Sequence, residues 1–420
     1  MLDKYIYIFI LKKELIKKCM KFKLNTNIEN IHYFELIDIN FIPTNKNILF
    51  KKFYENLKNE KDKIDKLENT NNWDKMKKIG NPYELIYTTY NKKRKNDSIS
   101  LYIPISRAYF KLWEIYYNFS FFDIFEKKDC FVFSHLAEGP GGFLEASYNY
   151  RKKIEKNNTD KYYCITLKPT NDYIPDFNKL KKIFVDNPSI NIEYGNLYVL
   201  DEIKNYIKKF DKNKAHIVTA DGGFDYSGDF NGQEINSCQI IYSECIVALN
   251  ILIKNGSFIC KIFDIFSITM IQILYILSHC FEEVYVYKPE TSRPANSEKY
   301  FVCLRYKDNL SKKEKKNLLD MIFEWNEFSE KIPKNISIVL DNIKIDNKFI
   351  QNINEFNENY IQSQIFYLNK IIHLSKNNID KESYYDIIHN QVNNAIKWCQ
   401  KYKIPINKNS LYYKKNTEKI

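Results

Sequence analysis

The chain has 420 residues, 44% of them hydrophobic and 28% charged, enough to bury a core as one large domain with extensions or as two domains. Its net charge of +12 points to an anionic partner such as RNA, DNA or a membrane surface, although heavy use of Lys, Asn, Ile and Tyr raises the charge through composition alone. The nine cysteines are scattered, with no CxxC pair and no histidine at ligand spacing. That argues against a zinc site and for buried, reduced thiols.

The first 20 residues hold the apolar run Tyr5–Leu11, too short to span a bilayer and followed at once by Lys12 and Lys13. No small-residue cleavage site follows, so neither an anchor nor a signal peptide is expected, and the chain reads as soluble and cytoplasmic, or nuclear. Residues 1–75 read as an N-terminal extension. Ile31–Ile42 suits one or two strands, and Glu55–Asn69 reads as a solvated charged helix or linker with no chemistry of its own.

A central domain is expected over 76–307. Strands are predicted at Phe131–Leu136, Tyr162–Leu167, Ile190–Tyr194, His216–Ala220, Phe258–Phe263, Val284–Tyr287 and Tyr300–Arg305. Helices are predicted at Gly142–Ile154, Ile235–Lys254 and Ile265–Cys280. Alternating strands and helices mean an α/β fold with a mostly parallel sheet. The loop Lys288–Lys299 has no room for a crossover helix, so Tyr300–Arg305 is expected to run antiparallel. Residues 308–420 read as a C-terminal helical region, with helices at Lys312–Phe328, Glu355–Leu374 and Lys381–Tyr402 and a polar tail, 406–420, expected to fray.

Two features carry chemistry. Phe131–Phe143 is a strand, a turn Glu138-Gly-Pro-Gly-Gly142 and a helix start. Glycines let backbone approach a ligand closely at the carboxyl end of a strand. The spacing fits neither GxGxxG nor GxxxxGK[ST], and the turn has no lysine for phosphate. A phosphate-free nucleoside cofactor such as S-adenosylmethionine suits it, and a valine at Gly141 is expected to fill the turn and so block the cofactor. The second feature is a set of charged residues at strand ends: Asp221 after an apolar strand, Lys261 inside Phe258–Asp264, and Glu298 before Tyr300. A lysine in a buried strand needs a partner or a task. An Asp221–Lys261 ion pair serving structure alone is one reading; a general base is the other.

Four strings then resemble, in order, the motifs of the FtsJ-like RNA 2′-O-methyltransferases: Ser106–Glu114, Ala220-Asp-Gly-Gly-Phe224, Phe258–Asp264 and Lys288–Tyr300. Within that family the chain is most similar to the cap-specific mRNA enzymes, over about Ile105 to Lys307, and Ser-Arg-Pro-Ala-Asn-Ser-Glu298 is the most specific string. The resemblance implies a Rossmann-like methyltransferase sheet with one antiparallel strand and a catalytic Lys111–Asp221–Lys261–Glu298 tetrad. It implies S-adenosylmethionine held by Glu138, Gly139, Pro140, Gly141, Gly142, Phe143, Asn196 and Asp221, and RNA contacts from Ser106, Arg107, Asn231 and Asn296. Lys261 is the base in that scheme, its proton affinity lowered by Lys111 and raised by Asp221, while Glu298 fixes the lysines; no metal is required.

The implied partners are capped mRNA and the capping or transcription machinery. Two positions depart from the family's pattern. Glu138 stands where cap enzymes often have a small residue, and Asn196 stands in a shortened segment where the family has an acidic residue. Compact chains of large DNA viruses carry a similar loop, and a viral origin fits the composition. Other readings stay open at this point: the same chemistry on ribosomal or transfer RNA, a non-catalytic RNA-binding subunit with this fold, or a nicotinamide oxidoreductase, which the glycine spacing disfavours.

Overall fold

The computed structural model describes residues 21–417 except 29–33, 65–66, 68–70, 89–96, 126–129, 155–158, 171–176, 178–179, 181–188, 224–228, 330, 334 and 378. The apolar run Tyr5–Leu11 and Phe224 lie outside the described residues. The N-terminal region contributes β1 (Lys21–Lys23), β2 (Ile39–Pro43), α1 (Lys51–Lys61) and α2 (Asn71–Ile79). The centre runs α3 (Ala108–Phe119), β3 (Val132–Leu136), α4 (Gly142–Ile154), β4 (Lys161–Thr166), β5 (Ile190–Tyr194), α5 (Leu200–Lys208), β6 (Ala215–Ala220), α6 (Gln233–Ile251), β7 (Leu252–Ile262), α7 (Ile268–Cys280), β8 (Phe281–Tyr287) and β9 (Lys299–Tyr306). The chain continues through α8 (Lys312–Ser329), β10 (Ile336–Leu340), α9 (Asn347–Lys376), α10 (Lys381–Lys401) and α11 (Leu411–Thr417).

The main sheet has the order β1-β8-β9-β7-β6-β3-β4-β5. The strands from β3 to β7 pair in parallel, and β9 lies antiparallel between β7 and β8, as its short connection requires. β1 adds a second antiparallel strand at the edge. This is a Rossmann-like sheet with helices on both faces. Its inner strands are apolar on both sides, because each face is covered. On β9, Phe301 and Cys303 join one core while Tyr300, Val302 and Leu304 join the other. α6 and α7 cover the first face; α3, α4 and α10 cover the second.

Several boundaries depart from the sequence reading. The helix expected to reach Lys254 ends at Ile251, because Leu252 already pairs with Ala215 of β6. The C-terminal region is not wholly helical: β10 pairs with β2 as a separate two-stranded sheet. The tail does not fray over its described part. Ile406 bridges Ser100, and the buried Asn407 and Ser410 bind the carbonyls of Ser98 and Asp97. The end of α1 is not solvated either, since Lys61 is only 7% exposed. Among the described residues no helix is long and apolar enough to cross a membrane.

Candidate active site

The strand order reverses between β3 and β6, and a doubly wound sheet binds its ligand beyond the carboxyl ends of the strands at such a point. β3 delivers the glycine turn there. Gly141 has φ +108°, and a Cβ on it would lie 1.7 Å from Leu180 Cδ1. The space beside Gly141 is therefore already taken by Leu180. A valine would crowd and strain the turn itself. Gly142 allows another approach: a Cβ on it would sit 2.2 Å from Ser106 Oγ, at the start of α3.

Glu138 lies 3% exposed, and its Oε1 accepts the N–H groups of Phe143 and Leu144, both at 2.8 Å. Burial, opposed by those two N–H groups and reinforced by Asp221, pushes its carboxyl well above the usual range. The first N–H groups of α4, which hold the pyrophosphate in dinucleotide sites, are thus already occupied by the chain's own side chain. At the carboxyl end of β5, Asn196 closes its own turn. Its Oδ1 accepts from Tyr198 N at 3.0 Å, and its N–H donates to Glu202 at 2.6 Å.

β6 and β7 deliver the first charged pair. Lys261 Nζ donates to the Asp221 carbonyl at 2.7 Å and lies 3.4 Å from Asp221 Oδ1, which also accepts from Tyr300 Oη at 3.2 Å. Gly223 leaves room for the amine, since a Cβ there would lie 2.9 Å from Nζ. Because β9 runs backwards, its beginning rather than its end meets this edge, and it brings Glu298. The second pair forms there: Lys111, from α3, lies 2.8 Å from the Glu298 carboxylate, which also accepts from Ser292 Oγ at 2.8 Å. All four side chains are 13–21% exposed, buried yet open to one side.

The electrostatics correct one expectation. Burial lowers the proton affinity of the Lys261 amine, but Asp221, Glu298 and Glu244 outweigh it and hold the amine above the ordinary lysine value. Lys111, expected to depress it, is itself paired with Glu298. Burial would raise Glu298, yet Lys111, Lys261 and Lys288 bring it down to about 2.

Sequence reasoning missed two residues here. Glu244, fully buried in α6, accepts from Gly222 N at 3.0 Å and from Cys260 Sγ at 3.5 Å, so it touches the neighbours of both Asp221 and Lys261. Burial, only partly opposed by Lys261, pushes it up to about 8. A glutamate inside the apolar stretch Cys238–Leu249 was the available signal. Lys288, at the end of β8, donates to the Asn296 carbonyl at 2.8 Å, to Asn296 Oδ1 and to the Glu298 carbonyl at 2.7 Å, fixing the loop before β9 from inside.

Of the residues expected on the RNA side, the Ser106 hydroxyl is buried without a hydrogen-bond partner. Arg107 instead turns inward, donating to Tyr87 O at 3.0 Å and pairing with Glu84 at 3.4 Å. Asn296 is exposed, and Asn231 donates to Asp62 Oδ1 at 2.8 Å. A cleft of about 260 Å³ opens beside them, between Trp73, Leu368 and Ile371, with Lys61, Lys77, Arg293 and Asn296 on its walls.

Residues 104–306 match the family described as FtsJ-like methyltransferase. This segment, just under half of the chain, is similar to FtsJ-like methyltransferases. It ends with β9 and begins just before α3, so α1, α2 and every element after β9 lie outside it. The chain is 39% identical over 184 residues to cap-specific mRNA (nucleoside-2′-O-)-methyltransferase 1 of Drosophila melanogaster, covering 42% of this chain and 22% of that protein. It is 33% identical to the Homo sapiens protein of the same name over 259 residues, 57% of this chain and 29% of that one. It is also 30% identical over 258 residues to a Caenorhabditis briggsae protein named inactive cap-specific mRNA (nucleoside-2′-O-)-methyltransferase 1B, covering 60% and 30%. The chain spans under a third of the length of these relatives.

Proposed function

We propose that the FtsJ-like domain transfers a methyl group from S-adenosylmethionine to a ribose 2′-oxygen, at the cap-proximal nucleotide of an mRNA. The observation that carries this reading is the pairing of Lys261 with Asp221 and of Lys111 with Glu298 at one edge of the sheet. Similarity alone would not carry it, since a relative of comparable identity is named inactive.

S-adenosylmethionine supplies an electrophilic methyl on a cationic sulfur. Residues 138–143, Asn196 and Asp221 would hold it. Their chemistry fits a cationic nucleoside: Asp221 stands beside the turn, and the helix start that could bind phosphate is filled by Glu138. The chain's own residues handle the proton. With S-adenosylmethionine bound, the Lys261 amine would take the proton of the ribose hydroxyl as that oxygen is methylated. Lys261 must first be neutral, and it becomes so only when the negative charge around it is shared with another cation. Lys111 already holds Glu298, so Asp221 is the carboxylate left to share. Orientation of the ribose hydroxyl, worth about 7–11 kcal/mol in well-placed reactions, falls to Lys111, Glu298 and the loop bearing Asn296. Lys77 and Arg293, part-exposed on the walls of the cleft beside Asn296, suit the phosphates of an RNA chain.

The test is methyl transfer from labelled S-adenosylmethionine to a short N7-methylguanosine-capped RNA, the same RNA uncapped, and a capped RNA already methylated on its first ribose. Transfer only to the first is expected, and Lys261→Ala should abolish it while cofactor binding persists. Equal transfer to capped and uncapped RNA would move the substrate away from mRNA caps. No transfer to any of them would overturn the catalytic reading.

A further inference from the structure

The loop 292–298 carries both Asn296 and Glu298, and it has no strand partner of its own. Backbone carbonyls in such a loop need donors from elsewhere if the loop is to hold one position. Lys288 supplies them from the side of the sheet. On the other side the donors come from α9, a helix outside the FtsJ-like domain. Gln364 Nε2 donates to the Ala295 carbonyl at 3.2 Å and to Ser297 Oγ at 3.1 Å. One turn earlier, Tyr360 Oη donates to the Asn296 carbonyl at 3.2 Å, and Lys299 Nζ sits 4.0 Å over the Tyr360 ring. Ser297 in turn donates to Asp264 at 2.7 Å, where Lys299 at 3.0 Å and Lys61 at 3.2 Å converge.

We propose that α9 is the RNA-positioning element of this enzyme, with Gln364 and Tyr360 as positioning residues that set Asn296 for the substrate. The inference rests on the reading of the domain as an RNA methyltransferase. Stability alone gives little reason for this glutamine. It is 1% exposed and its Oε1 is buried without a hydrogen-bond partner, a cost that an apolar side chain of similar size would avoid. What the glutamine provides, and a leucine cannot, is two donors to the residues on either side of Asn296. The arrangement also gives the C-terminal region a task in the site, although its sequence shows no chemistry.

The experiment uses the full chain. Binding of a fluorescently labelled capped RNA is followed by anisotropy for wild type, Gln364→Leu and Tyr360→Phe, with S-adenosylmethionine affinity and Tm measured beside it. Each variant should weaken RNA binding about three- to tenfold, the value of one neutral hydrogen bond from Asn296 to the RNA, while cofactor affinity and Tm stay unchanged. Tyr360→Phe keeps the ring under Lys299 and decides the matter if Gln364→Leu lowers Tm. Unchanged RNA affinity in the variants, or parallel loss of Tm and RNA affinity in both, would overturn the role of α9. Wild-type protein that binds cofactor but no capped RNA would instead overturn the RNA reading on which it rests.

Discussion

Glu298→Gln tests the electrostatic heart of the site without relying on activity. The carboxylate is 14% exposed and faces Lys111 at 2.8 Å, with Lys261 and Lys288 close behind. Its proton affinity falls from an ordinary 4.5 to about 2 in the fold. That difference corresponds to about 3 kcal/mol of stability at neutral pH, in keeping with the roughly 3–5 kcal/mol lost when a buried ion pair is broken. The sign follows from the direction. The folded chain binds this proton less readily than the unfolded chain, so the stabilisation is complete above pH 4.5 and is lost as pH falls through about 2. Glutamine keeps the shape and removes the charge. Urea unfolding followed by tryptophan fluorescence should therefore show the variant about 3 kcal/mol less stable at pH 7. The gap should close steadily below pH 4.5. A gap that stays constant with pH would mean that shape or hydrogen bonding, not charge, is what Glu298 contributes. No gap at all would refute the ion-pair reasoning outright.

The remaining predictions concern the backbone turn and the buried acid behind Lys261. Gly141→Val should lower Tm and impair cofactor binding together, because φ +108° and Leu180 at 1.7 Å leave no room for a side chain. A normal Tm with lost cofactor affinity would instead show that the valine fills the ligand's place. Glu244→Gln keeps an acceptor for Gly222 and removes a buried ionisation raised to about 8. The wild type should lose stability relative to the variant as pH rises from about 4.5 to 8, so the variant should melt higher at pH 9. Parallel melting curves across that range would show that Glu244 titrates normally and does not sense its burial.

Much of the architecture was legible because its signals are local. The apolar run ending at Ala220 and the glycine turn after Leu136 specify strand, turn and helix from neighbouring residues alone. The absence of room for a helix in 288–299 sufficed to turn β9 around, and with it to place Glu298 beside the end of β7. The tetrad's order could be read along the chain, since each member sits in a distinctive string. Its pairing could not. Lys111 meets Glu298 across 187 positions, and Lys261 meets Asp221 across 40, distances that only the sheet order closes.

The electrostatic state lay further from view. Lys111 was expected to depress Lys261, but in the fold each lysine has its own carboxylate, and the buried Glu244 stands behind Lys261. The charged segment around Lys61 looked solvated because its composition is that of a surface helix. Its contact with Asp264 lies 203 positions away. Residue types and short-range periodicity thus determined which elements form and which side chains could do chemistry. Tertiary structure alone decided which charges face each other, because Coulomb and desolvation energies depend on distance and burial in space, and neither is written in local sequence.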